Sequence, residues 1–183
     1  MDQLLEKVKE FATSAHGDQQ RKYSPEPYIV HPIRVMEICR EYTSDVTVLS
    51  AALLHDVIED TDVTTNKLEQ FLLTVLNEAK VSKTLRLVIE LTDVYTKQKY
   101  PQLNRRKRKE KERARLGKIS REAQIIKYAD IIDNSGDLAG AETDFTLLWL
   151  REAMANLQVM NDGDPGLLEK AKKIVGDALS SEW

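Results

Sequence analysis

The chain has 183 residues, a length that fits one domain able to bury about 70% of its unfolded surface. Apolar residues at 42% and charged residues at 31% are ordinary globular proportions, and the net charge of −3 implies no particular partner. The single cysteine, Cys39, excludes an internal disulfide. No apolar run approaches the roughly 18 residues of a membrane span, and MDQLLEKVKEF has no signal-peptide character. A cytoplasmic protein without a membrane partner is expected.

Glycine and proline are scarce, and helical spacing recurs where strand alternation does not. Leu4, Leu5, Val8, Phe11, Ala12 and Ala15 form one apolar stripe that stops at Gly17, a C-cap. Residues 18–30 are polar, contain Pro25 and Pro27, and read as a loop. His31-Pro32 then opens a helix, with proline in the first helical position, and Cys39 within it reads as a buried thiol. Residues 46–60, VTVLSAALLHDVIED, are apolar nearly all round as far as His55 and predict one central buried helix. A turn follows at Thr61–Thr65, and Asn66-x-x-Glu69 has the spacing of a capping box for a helix at 67–76. Further helices are expected at about 83–93, at 121–134 behind Ser120, at 144–160, and at 166–179 behind Asp164-Pro165. No repeat or linker interrupts the pattern, so the expectation is a single all-α domain over 1–183 with about eight helices.

The chemistry concentrates in ALLHDVIEDT. Positions three and four apart share a helix face, so His55, Asp56, Glu59 and Asp60 line one edge of an otherwise apolar segment. Three carboxylates crowded in low dielectric repel unless a cation neutralises them. A divalent metal is the expected answer. His31, conformationally fixed by Pro32, and Asp130, set among isoleucines in IIKYADIIDN, are the further candidate ligands. His31, His55, Asp56 and Asp130 make a mixed nitrogen and oxygen set that suits Mn²⁺, Fe²⁺ or Zn²⁺ better than Ca²⁺. His16, in the last turn of the first helix where the dipole favours it, reads as structural.

These residues resemble a known family. The set H…HD…D is the signature of the HD-domain metal-dependent phosphohydrolases. AHGDQQRKYSPEPYIVHPIRV, AALLHDVIEDT and IIKYADIIDN resemble, in order and spacing, the hydrolase domain of the RelA/SpoT-type enzymes, and most closely the small stand-alone alarmone hydrolases. The resemblance implies an all-helical HD fold, one Mn²⁺ held by His31, His55, Asp56 and Asp130, and removal of the 3′-pyrophosphate of ppGpp or pppGpp. It implies that Glu59 and Asp60 position and deprotonate the attacking water. It further implies that Arg21 packs on the guanine, that Lys22 and Arg105 meet phosphate, and that Asn134 lies near the nucleotide. Asp133 stands where the family's last motif carries an aromatic residue, and is expected to face solvent or a basic partner such as Arg105 or Lys127.

Eight basic and two acidic residues lie between 105 and 115, a local charge of +6 that leaves −9 on the rest of the chain. Arg106–Glu110 and Arg108–Glu112 are spaced for ion pairs. The excess favours an anionic partner. Without interleaved aromatics or a groove-binding motif, a nucleic acid is not expected, and the resemblance implies a small nucleotide as the anionic partner. At this stage the residues leave other readings open: a phosphohydrolase acting on a nucleoside monophosphate or NADPH, or a non-catalytic nucleotide-binding member of the fold.

Overall fold

A computed structural model of the protein describes residues 2–22, 24–138 and 144–180. Tyr23, within the stretch 18–30 that the sequence reads as a loop, lies outside the described residues. Among those described there are ten α-helices and one isolated antiparallel bridge, Gln20 to Pro27. The all-α expectation is met. The chain divides into two compact units, residues 1–92 and 93–183.

The first unit holds α1 (Asp2–His16), α2 (Val30–Arg40), α3 (Val46–Leu54), α4 (Val57–Asp60), α5 (Thr65–Val75) and α6 (Glu78–Leu91). Its centre is α3, where every residue from Thr47 to Leu54 is buried and α1, α2 and α6 pack around it. That is why its sequence is apolar all round. Leu49, Leu53 and Leu54 are fully buried, and each contributes roughly 2 kcal/mol of transfer free energy. At its start, Asp45 Oδ1 accepts from the Thr47 N–H at 2.9 Å, and Lys83 of α6 reaches Asp45 Oδ2 at 2.8 Å. Burial alone would raise the Asp45 carboxyl, but the Lys83 and Thr47 hydrogen bonds outweigh it and hold the pKa at about 2.

Several helix ends depart from the sequence reading for local reasons. Thr64, not Asn66, caps α5, accepting from the Lys67 N–H at 3.2 Å. Asn77 caps α6 through the Lys80 N–H at 3.1 Å, so that helix starts earlier than its apolar stripe suggests. The first turn of α2 forms ahead of Pro32, because Pro27 and Tyr28 carbonyls accept from the Val30 and His31 N–H groups at 3.2 and 3.0 Å. Proline is tolerated there, within the turn whose N–H groups have no intrahelical partner. Gly17, with φ +54°, ends α1 as expected.

The second unit holds α7 (Arg105–Leu116), α8 (Arg121–Leu138), α9 (Asp144–Leu157) and α10 (Pro165–Ser180). The core helix α8 packs on α9 and α10, and α9 packs on α7. Fully buried Tyr128 of α8 has its hydroxyl 2.7 Å from the Met160 carbonyl and 3.0 Å from Gln124 Oε1. Gln124 Oε1 also accepts from the Asp162 and Gly163 N–H groups at 2.8 and 3.2 Å, which ties the 160–163 turn to α8. The basic run is helix α7, capped by Asn104. Its Glu112 is buried and pairs with Arg115, with Nε to Oε1 at 2.6 Å, rather than with Arg108, whose guanidinium donates to the Leu103 carbonyl. Glu112 Oε2 also accepts from the Val94 and Tyr95 N–H groups at 3.2 and 3.0 Å.

Candidate active site

The single helix expected over 46–60 is two helices, α3 and α4, with His55 and Asp56 at the break. The backbone stays right-handed at both residues, with φ −60° at His55 and −99° at Asp56. At the junction His55 Nδ1 lies 2.8 Å from the Ala52 carbonyl. The helix restarts with the Asp56 carbonyl accepting from the Glu59 and Asp60 N–H groups at 3.1 and 2.8 Å. Because a carbonyl only accepts, Nδ1 carries the hydrogen and the Nε2 lone pair is the one available as a ligand.

That Nε2 lies 3.1 Å from Asp56 Oδ2, and His31 Nε2, from the first turn of α2, lies 3.5 Å from the same oxygen. The two imidazoles stand 5.1 Å apart at 64°. Both are buried, while the Asp56 side chain is 20% exposed. The ligand atoms of His31, His55 and Asp56 all lie within 4.8 Å of one another, close enough to hold one metal ion. Two neutral imidazoles and one carboxylate fit a borderline divalent cation.

One turn onward, Asp60 Oδ2 lies 2.8 Å from the Tyr28 hydroxyl, which also sits 2.6 Å from Asp56 Oδ2. Burial first, then the Asp56 charge, raises the Asp60 carboxyl above its usual range, against the opposing effects of Tyr28, His16 and His55. Burial and the two carboxylates push the Tyr28 hydroxyl far up, so it stays protonated. Glu59 and Asp60 line a polar hollow of about 360 Å³ with Ala15, Gln19, Thr61 and Asp62. Arg21 lies beside the same cluster, its Cζ 5.5 Å from the Tyr28 ring centroid, and Lys22 is exposed next to it. Thus His31, His55, Asp56, Glu59, Asp60, Arg21 and Lys22 all belong to the first unit.

The remaining candidates belong to the second unit. Asp130 is buried in α8, with Lys127 Nζ at 2.8 Å and Asn134 Nδ2 at 2.6 Å. Its negative charge is therefore matched within its own helix, and Asn134 shares its face as the spacing requires. Arg105 forms a two-pronged pair with Glu152, at 3.1 and 2.7 Å, and its Cζ lies 5.6 Å from the Phe145 ring centroid.

Three contributors escape the motif reading: Tyr28, His16 and Gln19. His16 does more than complement a helix end. Its ring stacks on Tyr28 at 4.5 Å. Gln19 Nε2 donates to the Asp60 carbonyl at 2.7 Å. No periodic or charge signal marks Tyr28, whose carboxylate partners lie 28 and 32 residues along the chain.

An all-helical unit with two histidines and an aspartate converging at a helix break defines a candidate metal centre of the HD type. Residues 9–143 match the HD domain, and the chain belongs to that family. It is 41% identical over 140 residues to the guanosine-3′,5′-bis(diphosphate) 3′-pyrophosphohydrolase MESH1 of Mus musculus, covering 74% of this chain and 69% of that protein. It is 34% identical over 163 residues to the protein of the same name from Drosophila melanogaster, covering 83% of each. In three dimensions it is similar to a solved structure described as a metazoan ortholog of SpoT that hydrolyzes ppGpp and plays a role in starvation responses. That match has a TM-score of 0.79 and 27% identity, covering 95% of this chain and 94% of the other. No helix among the described residues is long and apolar enough to cross a membrane.

Proposed function

We propose that this protein is a metal-dependent hydrolase that removes the 3′-pyrophosphate of (p)ppGpp. The observation that carries the reading is the convergence of His31, His55 and Asp56, with the Glu59–Asp60 pair one turn on, in a chain whose relatives bear that activity in their names. His31, His55 and Asp56 would hold the cation, and their donor atoms favour Mn²⁺, Fe²⁺ or Zn²⁺ over Ca²⁺. Asp130 as fourth ligand is proposed from its motif alone. When bound, the cation supplies charge stabilisation at phosphoryl oxygens and a more acidic water.

The chain's own residues do the rest. Hydrolysis breaks the bond between the 3′ oxygen and its phosphorus, the water oxygen ends on the pyrophosphate, and the 3′ oxygen leaves with a proton. Asp60 or Glu59 accepts the water's proton, as a general base within reach of the ligand cluster. Arg21 offers a flat cation for stacking on the base or pairing with phosphate, and Lys22 a point charge for phosphate. Asn134 and Arg105 are proposed substrate contacts from their motifs. The family match, residues 9–143, runs through the boundary between the two units and supports reading the chain as one HD domain. A cytoplasmic site of action completes the proposal.

The test is to incubate the protein with Mn²⁺ and a panel of ppGpp, pppGpp, nucleoside monophosphates and NADPH, and to identify the products. GDP and pyrophosphate from ppGpp support the reading. Orthophosphate released only from another member of the panel overturns it. A His55→Ala variant with undiminished activity overturns the metal-centred chemistry.

A further inference from the structure

One side chain outside the named motif residues touches most of the candidate site. The Tyr28 N–H bonds the Gln19 carbonyl at 2.8 Å, fixing the residue in the loop before α2. Its hydroxyl oxygen lies 2.6 Å from Asp56 Oδ2 and 2.8 Å from Asp60 Oδ2. Its ring stands edge-on to His31 at 6.0 Å, with Arg21 Cζ 5.5 Å from its centroid. A ligand candidate, the water-handling candidate and a substrate-binding candidate therefore share one neighbour.

Tyr28 is itself braced. The His16 ring stacks on it at 4.5 Å and 28°. His16 Nδ1 lies 2.9 Å from Gln19 Oε1, and Gln19 Nε2 donates to the Asp60 carbonyl at 2.7 Å. With the Gln19 nitrogen turned to that carbonyl, its oxygen accepts, so His16 Nδ1 carries the hydrogen. His16 Nε2 is buried and has no hydrogen-bond partner among the described residues. The imidazole thus serves as a flat plate with one working nitrogen, and that nitrogen serves the Asp60 main chain through Gln19.

We propose that Tyr28 is a positioning residue of the hydrolytic site, its hydroxyl setting the Asp56 and Asp60 carboxylates relative to each other. His16 and Gln19 hold the Tyr28 ring and the Asp60 backbone in register. The inference rests on the reading of Asp56 as a metal ligand and Asp60 as the acid that handles water. A ligating carboxylate is itself hydrogen-bonded by an outer partner, and removing such a partner lowers metal affinity or activity by about 10–100-fold.

Tyr28→Phe isolates the hydroxyl, because the ring contacts to His31, His16 and Arg21 survive. Free Mn²⁺ measured by electron paramagnetic resonance gives the affinity, and ppGpp turnover gives kcat and KM. The expected result is a Mn²⁺ dissociation constant raised about 10-fold, kcat lowered about 10–100-fold, and KM changed less than about twofold. Wild-type Mn²⁺ affinity in Tyr28→Phe overturns the proposal. A wild-type protein that binds Mn²⁺ but leaves ppGpp intact overturns only the substrate reading, and the Mn²⁺ comparison still decides Tyr28. A wild-type protein that binds no Mn²⁺ overturns both. His16→Phe, which keeps the plate, is expected to retain more Mn²⁺ affinity than His16→Ala, and equal losses overturn the bracing role of the ring.

Discussion

Gly163→Ala is expected to destabilise the second unit sharply. A Cβ at Gly163 would stand 2.3 Å from Tyr128 Cε2, 2.8 Å from Cζ and 2.9 Å from the hydroxyl oxygen. Carbon pairs rest at about 3.5–4.0 Å, so the ring or the turn must move by more than about 1 Å. The ring cannot easily yield, since Tyr128 is fully buried and its hydroxyl is engaged by Met160 and Gln124. The turn must lift instead, weakening the Asp162 and Gly163 bonds to Gln124. Overpacking of this kind costs about 1–3 kcal/mol and a weakened buried hydrogen bond about 1 kcal/mol. Roughly 3 kcal/mol in total lowers the melting temperature by about 6–12 °C in a chain of this size. The control is the same chemical change at Gly136, which lies in α8 with no described residue within 4 Å of its added Cβ. Gly136→Ala is expected to stabilise by about 0.5–1 kcal/mol through helix propensity. Thermal melts by far-ultraviolet circular dichroism in metal-free buffer read both. A Gly163→Ala variant melting within about 2 °C of wild type, or a Gly136→Ala variant falling equally far, would refute the steric reasoning.

Other perturbations probe the remaining features. Glu112→Leu removes the acceptor for Val94 and Tyr95 and the buried partner of Arg115, a loss of about 3 kcal/mol. Faster hydrogen exchange at the amides of residues 94 and 95 checks it. The Asp45 carboxyl is held at about 2 against an ordinary 3.8, so its contribution is complete above about pH 4 and is lost as pH falls toward 2. Its side chain is 39% exposed, which limits the contribution to about 1 kcal/mol or less. The gap in melting temperature between wild type and Lys83→Ala should therefore close across that pH window. Mn²⁺ at about 100 times its dissociation constant should stabilise the folded protein by about 2.7 kcal/mol. The same addition should leave the melting of His55→Ala nearly unchanged.

What could be read from the sequence is what has a local cause. The all-round apolar character of α3 follows from burial on every side, and a histidine and an aspartate at the end of such a segment are conspicuous because burying them unmatched is costly. His31 was legible through the proline that follows it. Helix ends were less legible, because several polar residues near each end compete as caps. At α5 the competition between Thr64 and Asn66 was decided by where the chain enters the helix. The break between Leu54 and Val57 was hidden for another reason. The backbone angles there remain helical, and the His55 side chain bonds back to the Ala52 carbonyl, a contact that no apolar periodicity records.

Asp130 exposes the limit of arguing from burial alone. A carboxylate among isoleucines demands a partner, and the sequence reading supplied a metal. Lys127 and Asn134, one turn before and one turn after, supply that partner from the same helix. At His55–Asp56, by contrast, two buried imidazoles and a carboxylate face one another across chain segments. Tyr28 marks the opposite case. Its partners lie 28 and 32 residues away, and a tyrosine between proline and isoleucine in a loop carries no periodic or charge signal. A residue that joins two motifs can be found only once the chain has brought those motifs together. Motif-based reading therefore finds the ligands of such a site more readily than the groups that hold those ligands in place.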